Sequence, residues 1–340
     1  MNRAPVRLVL VEDSATQRAH LARVLESDGD ITVVAAAEDG DAAVAAVAEH
    51  RPDVVTMDLD LPGQGGHEAI ARIMAETPTP ILVLSGVIDA SGAAPAVAAL
   101  AAGAVDALPK PRLWDDAAER GLRRQVRTVA SVPVVGRRRR TRTRAPAPPR
   151  RTATTPVVGI AASTGGPAAL ATLLRALPPL LAPVLVVQHI HPSFTAGFVT
   201  WLDAEVPAPV QCATDGALPL PGHVYVGPAE MHLRLGAAGR MSLDPDPPAV
   251  HRPSADELFH SIAERAGPAA VGVSLTGMGE DGARGLLAMR RAGARTFAQD
   301  EASSVVFGMP RAAYELGAVQ RLMPLELLAA AVASAVREIA

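Results

Sequence analysis

The chain has 340 residues, 49% of them apolar and 20% charged, with a formal net charge of −3. That length exceeds one ordinary domain, and that apolar content excludes global disorder. The single cysteine excludes an intrachain disulfide and a cysteine-based metal cluster, the pattern of a reducing, cytoplasmic location.

The opening residues, MNRAPVRLVLVED, carry no apolar run long enough for a secretory signal. The most apolar region, LLRALPPLLAPVLVVQHI, is broken by Arg175 and by prolines at 178, 179 and 183, so no membrane insertion is expected. Aromatics are 3% of the chain, which leaves Ala, Val and Leu to pack most of the core. Cys212, in PVQCAT, is expected to be a small buried apolar residue.

In chain order, VRLVLV, ITVVAAA, DVVTMDL, PILVLS and AVDALP read as apolar strand cores. Alanine-rich helical segments such as DAAVAAVAEH and EAIARIMAET lie between them. Alternating βα units predict a parallel, doubly wound sheet over residues 5–125, with Ser14 and Gln17 forming a capping box at the first helix. Glu12 and Asp13 follow the first strand, Asp58 ends the third, Ser85 the fourth and Lys110 the fifth. C-terminal strand ends meet at the topological switch point, where ligands bind. Three carboxylates gathered there repel one another unless a hard divalent cation such as Mg²⁺ joins them. A hydroxyl from Ser85 and an ammonium from Lys110 suit phosphoryl oxygens. Lys110 is the only lysine among 32 basic residues, in a chain that otherwise uses arginine.

Residues 126–153 are expected to be a linker. Between 137 and 151 the chain carries eight arginines and no acid, which leaves 24 basic against 35 acidic residues elsewhere. Like charges and interspersed prolines predict an extended, solvated spacer. A basic run alone binds phosphate without reading sequence, so no specific nucleic acid is expected.

Residues 154–340 predict a second α/β domain with strands at VVGIAA, VLVVQH, HVYVGP, AVGVSLTG and RTFAQD, and a second capping box at SADE, from Ser254. The stretch VVGIAASTGGPAAL reads as strand, glycine turn and helix start, with Ser163 at the turn. A dinucleotide site requires an acid at the end of the next strand, which here ends in Gln188 and His189; no P-loop lysine follows the turn either. A serine nucleophile requires a base, and the base an orienting carboxylate. His189 ends the neighbouring strand, and Asp281 sits in a further strand–glycine–helix turn, LTGMGEDGARG. On these residues alone, Ser163 can instead cap the following helix, His191 can replace His189, and Glu280 and Asp281 can both be acids favoured at a helix N-terminus.

The ordered set Glu12, Asp13, Asp58, Ser85 and Lys110 resembles the receiver domain of two-component response regulators. The resemblance implies Asp58 as phosphoacceptor, Glu12 and Asp13 as metal-binding acids beside it, and Ser85 and Lys110 as switch hydroxyl and phosphate contact. Ala107 and Leu108 stand where many receivers carry an aromatic switch residue, and LPGQGG replaces the usual motif after the phosphoacceptor. GIAASTGGP, VVQHI, RPSADELF, LTGMGEDGARG and AQDEASSVVFGMP together resemble the catalytic domain of CheB-type protein-glutamate methylesterases. That resemblance implies Ser163 as nucleophile, His189 as general base, Asp281 as its orienting acid and the Met278 backbone N–H in an oxyanion hole, with no cofactor for the esterase. Glu280 stands where related sequences often have Asn. The partners implied are methyl-accepting chemoreceptors, as substrates for demethylation and glutamine deamidation, and a CheA-type histidine kinase. The unphosphorylated receiver is then expected to block the esterase, and a monomer is expected. The rival readings are a related regulator in a non-chemotaxis pathway, a small-molecule esterase, and a transcriptional regulator with a helix-turn-helix output.

Overall fold

The computed structural model describes residues 4–63, 65–86, 93–111, 113–132, 156–249 and 251–340. The arginine run lies outside the described residues. The chain divides into two compact units, Met1–Arg140 and Thr141–Ala340.

The first unit alternates strand and helix throughout: β1 (Val6–Val11), α1 (Ala15–Glu26), β2 (Ile31–Ala37), α2 (Gly40–His50), β3 (Val54–Asp58), α3 (Gly65–Glu76), β4 (Ile81–Ser85), α4 (Ala93–Ala102), β5 (Asp106–Pro109) and α5 (Asp116–Ala130). The strands form one parallel sheet in the order β2-β1-β3-β4-β5, so the switch point lies between β1 and β3. Leu8, Val9, Leu10, Val54 and Val55 are fully buried, as strands covered on both faces require. Ser14 accepts the Gln17 N–H at 3.4 Å, and the first helix starts where its cap predicts. Helix α5 continues to Ala130, into the first five residues of the stretch expected as linker. Arg123 and Arg127 on α5 pair with Asp28, and Arg127 also with Asp30, fastening the last helix to the turn after α1.

The second unit comprises β6 (Val157–Ala162), α6 (Gly166–Ala176), β7 (Val184–Gln188), α7 (Thr195–Glu205), β8 (Val210–Cys212), β9 (Val224–Val226), β10 (His232–Leu235), β11 (Met241–Asp244), α8 (Ala255–Ala266), β12 (Ala270–Ser274), α9 (Ala283–Arg291), β13 (Arg295–Gln299), α10 (Met309–Glu315), β14 (Arg321–Met323) and α11 (Leu325–Ile339). Seven parallel strands run in the order β14-β13-β12-β6-β7-β9-β8. Both units are therefore parallel α/β sheets, as the alternating pattern predicts.

Helices α8 and α9 cover the sheet face that carries Gly159 and Gly272, where a β-carbon would strike Ile262 or Leu286. Although aromatics are few, Phe194, Phe198 and Phe259 are among the largest fully buried side chains. The edge strands β8 and β14 and the antiparallel hairpin β10–β11 have no counterpart in the sequence reading. Three- and four-residue strands are too short to stand out by periodicity. Cys212 corrects an expectation: it lies exposed on edge strand β8, not in the core. No helix among the described residues is long and apolar enough to cross a membrane.

Candidate functional site

In the first unit, the strand ends assemble the acids as the sequence predicts. Glu12 directly follows β1, and Asp58 is the last residue of β3, on the neighbouring strand. Glu12, Asp13 and Asp58 each offer a carboxylate oxygen within 4.8 Å of the others. Lys110, just past β5, reaches across the sheet and donates to Glu12 Oε2 at 2.7 Å and Asp58 Oδ2 at 2.5 Å. Ser85 ends β4, is fully buried, and its carbonyl accepts the Lys110 N–H at 2.7 Å. A cleft of about 340 Å³ opens over this group. Burial raises the Glu12 carboxyl above its ordinary range, with Asp58 adding to the effect, and the Lys110 ammonium works against both. Glu12 Oε1 is buried without a hydrogen-bond partner. An orphaned carboxylate oxygen beside two further acids is a donor set that a hard oxygen-seeking cation fits.

In the second unit, three strand ends converge. Ser163 is the first residue after β6 and His189 the first after β7, in a register that pairs Ala162 with Gln188. The His189 N–H donates to the Ala162 carbonyl at 2.9 Å, so the two residues leave the sheet side by side. The loop after β12 closes the third side. The Ser163 N–H donates to the Thr276 carbonyl at 3.0 Å, and a β-carbon at Gly277 would stand 2.7 Å from Ser163 Cβ. Met278 follows, with its side chain exposed.

His189 Nε2 lies 2.8 Å from Asp281 Oδ2. A carboxylate only accepts, so Nε2 carries the proton and Nδ1 keeps the lone pair. Nδ1 is buried and has no hydrogen-bond partner. No hydrogen bond joins Ser163 Oγ to His189 among the described residues. Catalytic hydrogen bonds are commonly long before substrate binds.

Asp281 is fixed from an unexpected direction. Its carboxylate accepts the Ala255 N–H at 2.7 Å, the Asp256 N–H at 3.0 Å and the Ser254 hydroxyl at 2.8 Å. It therefore occupies the N-terminus of α8, although in sequence it precedes α9. Burial opposes its ionisation, but His189 and the α8 amides outweigh burial and hold the carboxyl well below the usual carboxylate range. This corrects the capping box expected at Ser254. That side chain makes no cap bond of its own, and Glu257 turns away to Arg234.

Helix α6 is capped at Gly165 without a side-chain bond, so Ser163 is not its cap. His191 is exposed, and its Nδ1 accepts the Ser193 N–H. Glu280 is exposed and pairs with Arg284, one turn along. The departure at Glu280 thus makes no bond to His189 or Asp281.

Sequence reasoning missed the residues that lock these turns. Gln188 is buried and donates to the Ser163 carbonyl at 2.9 Å and the His189 carbonyl at 2.8 Å, bracing both turns with one amide. Thr276 Oγ1 donates to the Thr164 carbonyl at 3.0 Å and accepts the Val306 N–H at 2.8 Å. The available signal was a polar residue ending an otherwise apolar strand, as in VVQH. That pattern says the residue needs partners, but not which ones.

The family model described as CheB methylesterase matches residues 158–332, and that of the response regulator receiver domain matches residues 8–118. The protein-glutamate methylesterase/protein-glutamine glutaminase 2 of Anaeromyxobacter dehalogenans is 47% identical over 326 residues, 95% of this chain and 94% of that protein. A protein of the same description numbered 3, from Myxococcus xanthus, is 46% identical over 94% of this chain and 91% of its own. The crystal structure of the Thermotoga maritima CheB methylesterase catalytic domain aligns with a TM-score of 0.52 at 34% identity, over 54% of this chain and 99% of that one.

Proposed function

The chain belongs to the CheB methylesterase family, and from that premise we propose that it hydrolyses glutamate γ-methyl esters on methyl-accepting chemoreceptors, and deamidates receptor glutamines, under the control of its own receiver domain. The observation that carries this reading is the His189–Asp281 couple, its lone-pair nitrogen buried and unpartnered, just past the strand end that neighbours that of Ser163.

Ser163 Oγ attacks the ester carbonyl carbon as its proton passes to His189 Nδ1. The imidazolium is stabilised through Nε2–H by the Asp281 carboxylate. The carbonyl electron pair moves onto oxygen, where the Met278 N–H receives it. Collapse breaks the ester C–O bond. The leaving methoxide takes the proton from Nδ1 and departs as methanol, which leaves an acyl-serine. A water molecule then gives its proton to Nδ1, adds to the acyl carbon and releases glutamate, and the proton returns to Ser163. A glutamine substrate follows the same path with ammonia as the leaving group.

Asp58 accepts the phosphoryl group from a CheA-type histidine kinase. Glu12, Asp13 and Asp58 would hold Mg²⁺, which would supply charge neutralisation for the phosphoryl oxygens. Lys110, which already spans two of these acids, shifts its ammonium to the phosphoryl oxygens, and Ser85 offers a hydroxyl at the next strand end. Phosphorylation then relieves inhibition of the esterase.

The test is methanol release from methylated receptor fragments by the full chain, with Mg²⁺ and with or without acetyl phosphate. Release that rises with the phosphodonor supports the reading. Release unaffected by acetyl phosphate removes receiver control, and no release removes the receptor ester as substrate.

A further inference from the structure

His251 lies outside every motif that led to the site, yet its ring stacks on the His189 imidazole with centroids 4.3 Å apart and planes 14° from parallel. The stack is held by its backbone. The Arg252 carbonyl, one residue on, accepts the Glu230 N–H at 3.4 Å. The Ser254 N–H donates at 3.1 Å to Nδ1 of His232, a fully buried ring whose other nitrogen meets the Pro247 carbonyl at 2.9 Å. Ser254 Oγ in turn donates to Asp281. The segment that carries His251 is thus bolted to the same carboxylate that holds His189.

We infer that His251 is a positioning residue for the catalytic base: its ring clamps one face of the His189 imidazole and keeps Nδ1 turned toward Ser163 through the proton-transfer cycle. The Asp281 bond fixes one nitrogen but leaves the ring free to pivot about that contact. A flat neighbour removes the pivot. Misplacing a proton acceptor by about 1 Å costs up to about a hundredfold in rate. The charged groups acting on His251 are His189 and Asp281, from the end of β7 and the turn before α9. Burial, and after it the neighbouring His189, push the His251 imidazole toward its neutral form. A neutral ring can lie against the imidazolium that His189 becomes, whereas a second cation would oppose it. His251 is itself exposed on its remaining side, so replacing it disturbs no core.

The inference rests on His189 being the base, and its test keeps the two ideas apart. Methanol release is measured for the full chain with acetyl phosphate, alongside His251→Ala, His251→Phe, Ser163→Ala and His189→Ala. Clamping predicts that His251→Ala lowers kcat by about tenfold or more with KM unchanged, and that His251→Phe, a flat ring without a titrating nitrogen, restores most of it. Ring ¹⁵N spectra should show one Nε2–H tautomer of His189 in the wild type and in His251→Phe, and mixed tautomers in His251→Ala. Full kcat in His251→Ala, no rescue by Phe, or a change confined to KM would each overturn the clamp. Turnover surviving in Ser163→Ala or His189→Ala would instead overturn the reading of the site itself.

Discussion

Asp281 and Asp256 cap each other's helices. Asp281 precedes α9, but its carboxylate takes the first two amides of α8. Asp256, in the first turn of α8, accepts the Gly285 N–H of α9 at 2.7 Å. The exchange needs close contact, and Gly285 supplies it: a β-carbon there would lie 2.6 Å from the Asp256 carbonyl oxygen. The N-terminus of α8 thereby holds the Asp281 carboxylate against His189 by backbone amides, which move less than side chains do.

This exchange separates two substitutions that look alike. Asp281→Asn should lower methanol release by about a hundredfold to ten-thousandfold, because the amide no longer enforces the Nε2–H tautomer. Asp256→Asn should leave turnover within a few-fold and change urea unfolding at neutral pH by less than about 1 kcal/mol, because an asparagine oxygen still accepts the Gly285 N–H. Equal activity losses in the two variants would remove the distinction.

The same pair should split in acid. The folded Asp281 carboxyl lies below its ordinary value of 3.8, so its stabilisation is complete above that value and fades as pH falls through the lower folded value. The Asp256 carboxyl is raised, by burial first and Asp281 after it, so its contribution is present at low pH and lost as pH rises through the folded value. Unfolding free energy measured from pH 6 down to pH 2, a range chosen to span about two units either side of a free carboxylate, should fall less steeply in Asp281→Asn than in the wild type. It should fall more steeply in Asp256→Asn.

Gly277→Ala should inactivate the enzyme without touching a reacting group. Its β-carbon would press on Ser163 Cβ and on Met309 Sδ, in a turn whose carbonyl is already taken by the Met309 N–H at 2.8 Å. Overpacking of this kind costs about 1–3 kcal/mol and displaces Ser163. The prediction fails if purified Gly277→Ala releases methanol at the wild-type rate.

Lys110→Arg retains the positive charge but replaces a compact ammonium bound to two carboxylates with a planar fork. Phosphate uptake from acetyl phosphate should persist, and the rise in esterase activity should be lost. Stoichiometric phosphorylation accompanied by full activation would take Lys110 out of the switch.

Sequence alone determined the strand–helix alternation, the five polar residues at the ends of the first sheet, and, in the second, Ser163 and Asp281 at glycine turns and His189 at a strand end. These are local properties: apolar runs of strand length, glycine where the chain must turn, and polar groups where a strand leaves the core. Only the tertiary structure decided that Asp281 caps α8, that Ser254 serves Asp281 instead of its own helix, that Gln188 braces the turns of Ser163 and His189, and that His251 lies on His189. Apart from the Gln188–His189 bond, these contacts join residues far apart in the chain. A polar side chain has many local partners available to it, and the one it takes is set by which backbone groups the packed sheet leaves unsatisfied beside it.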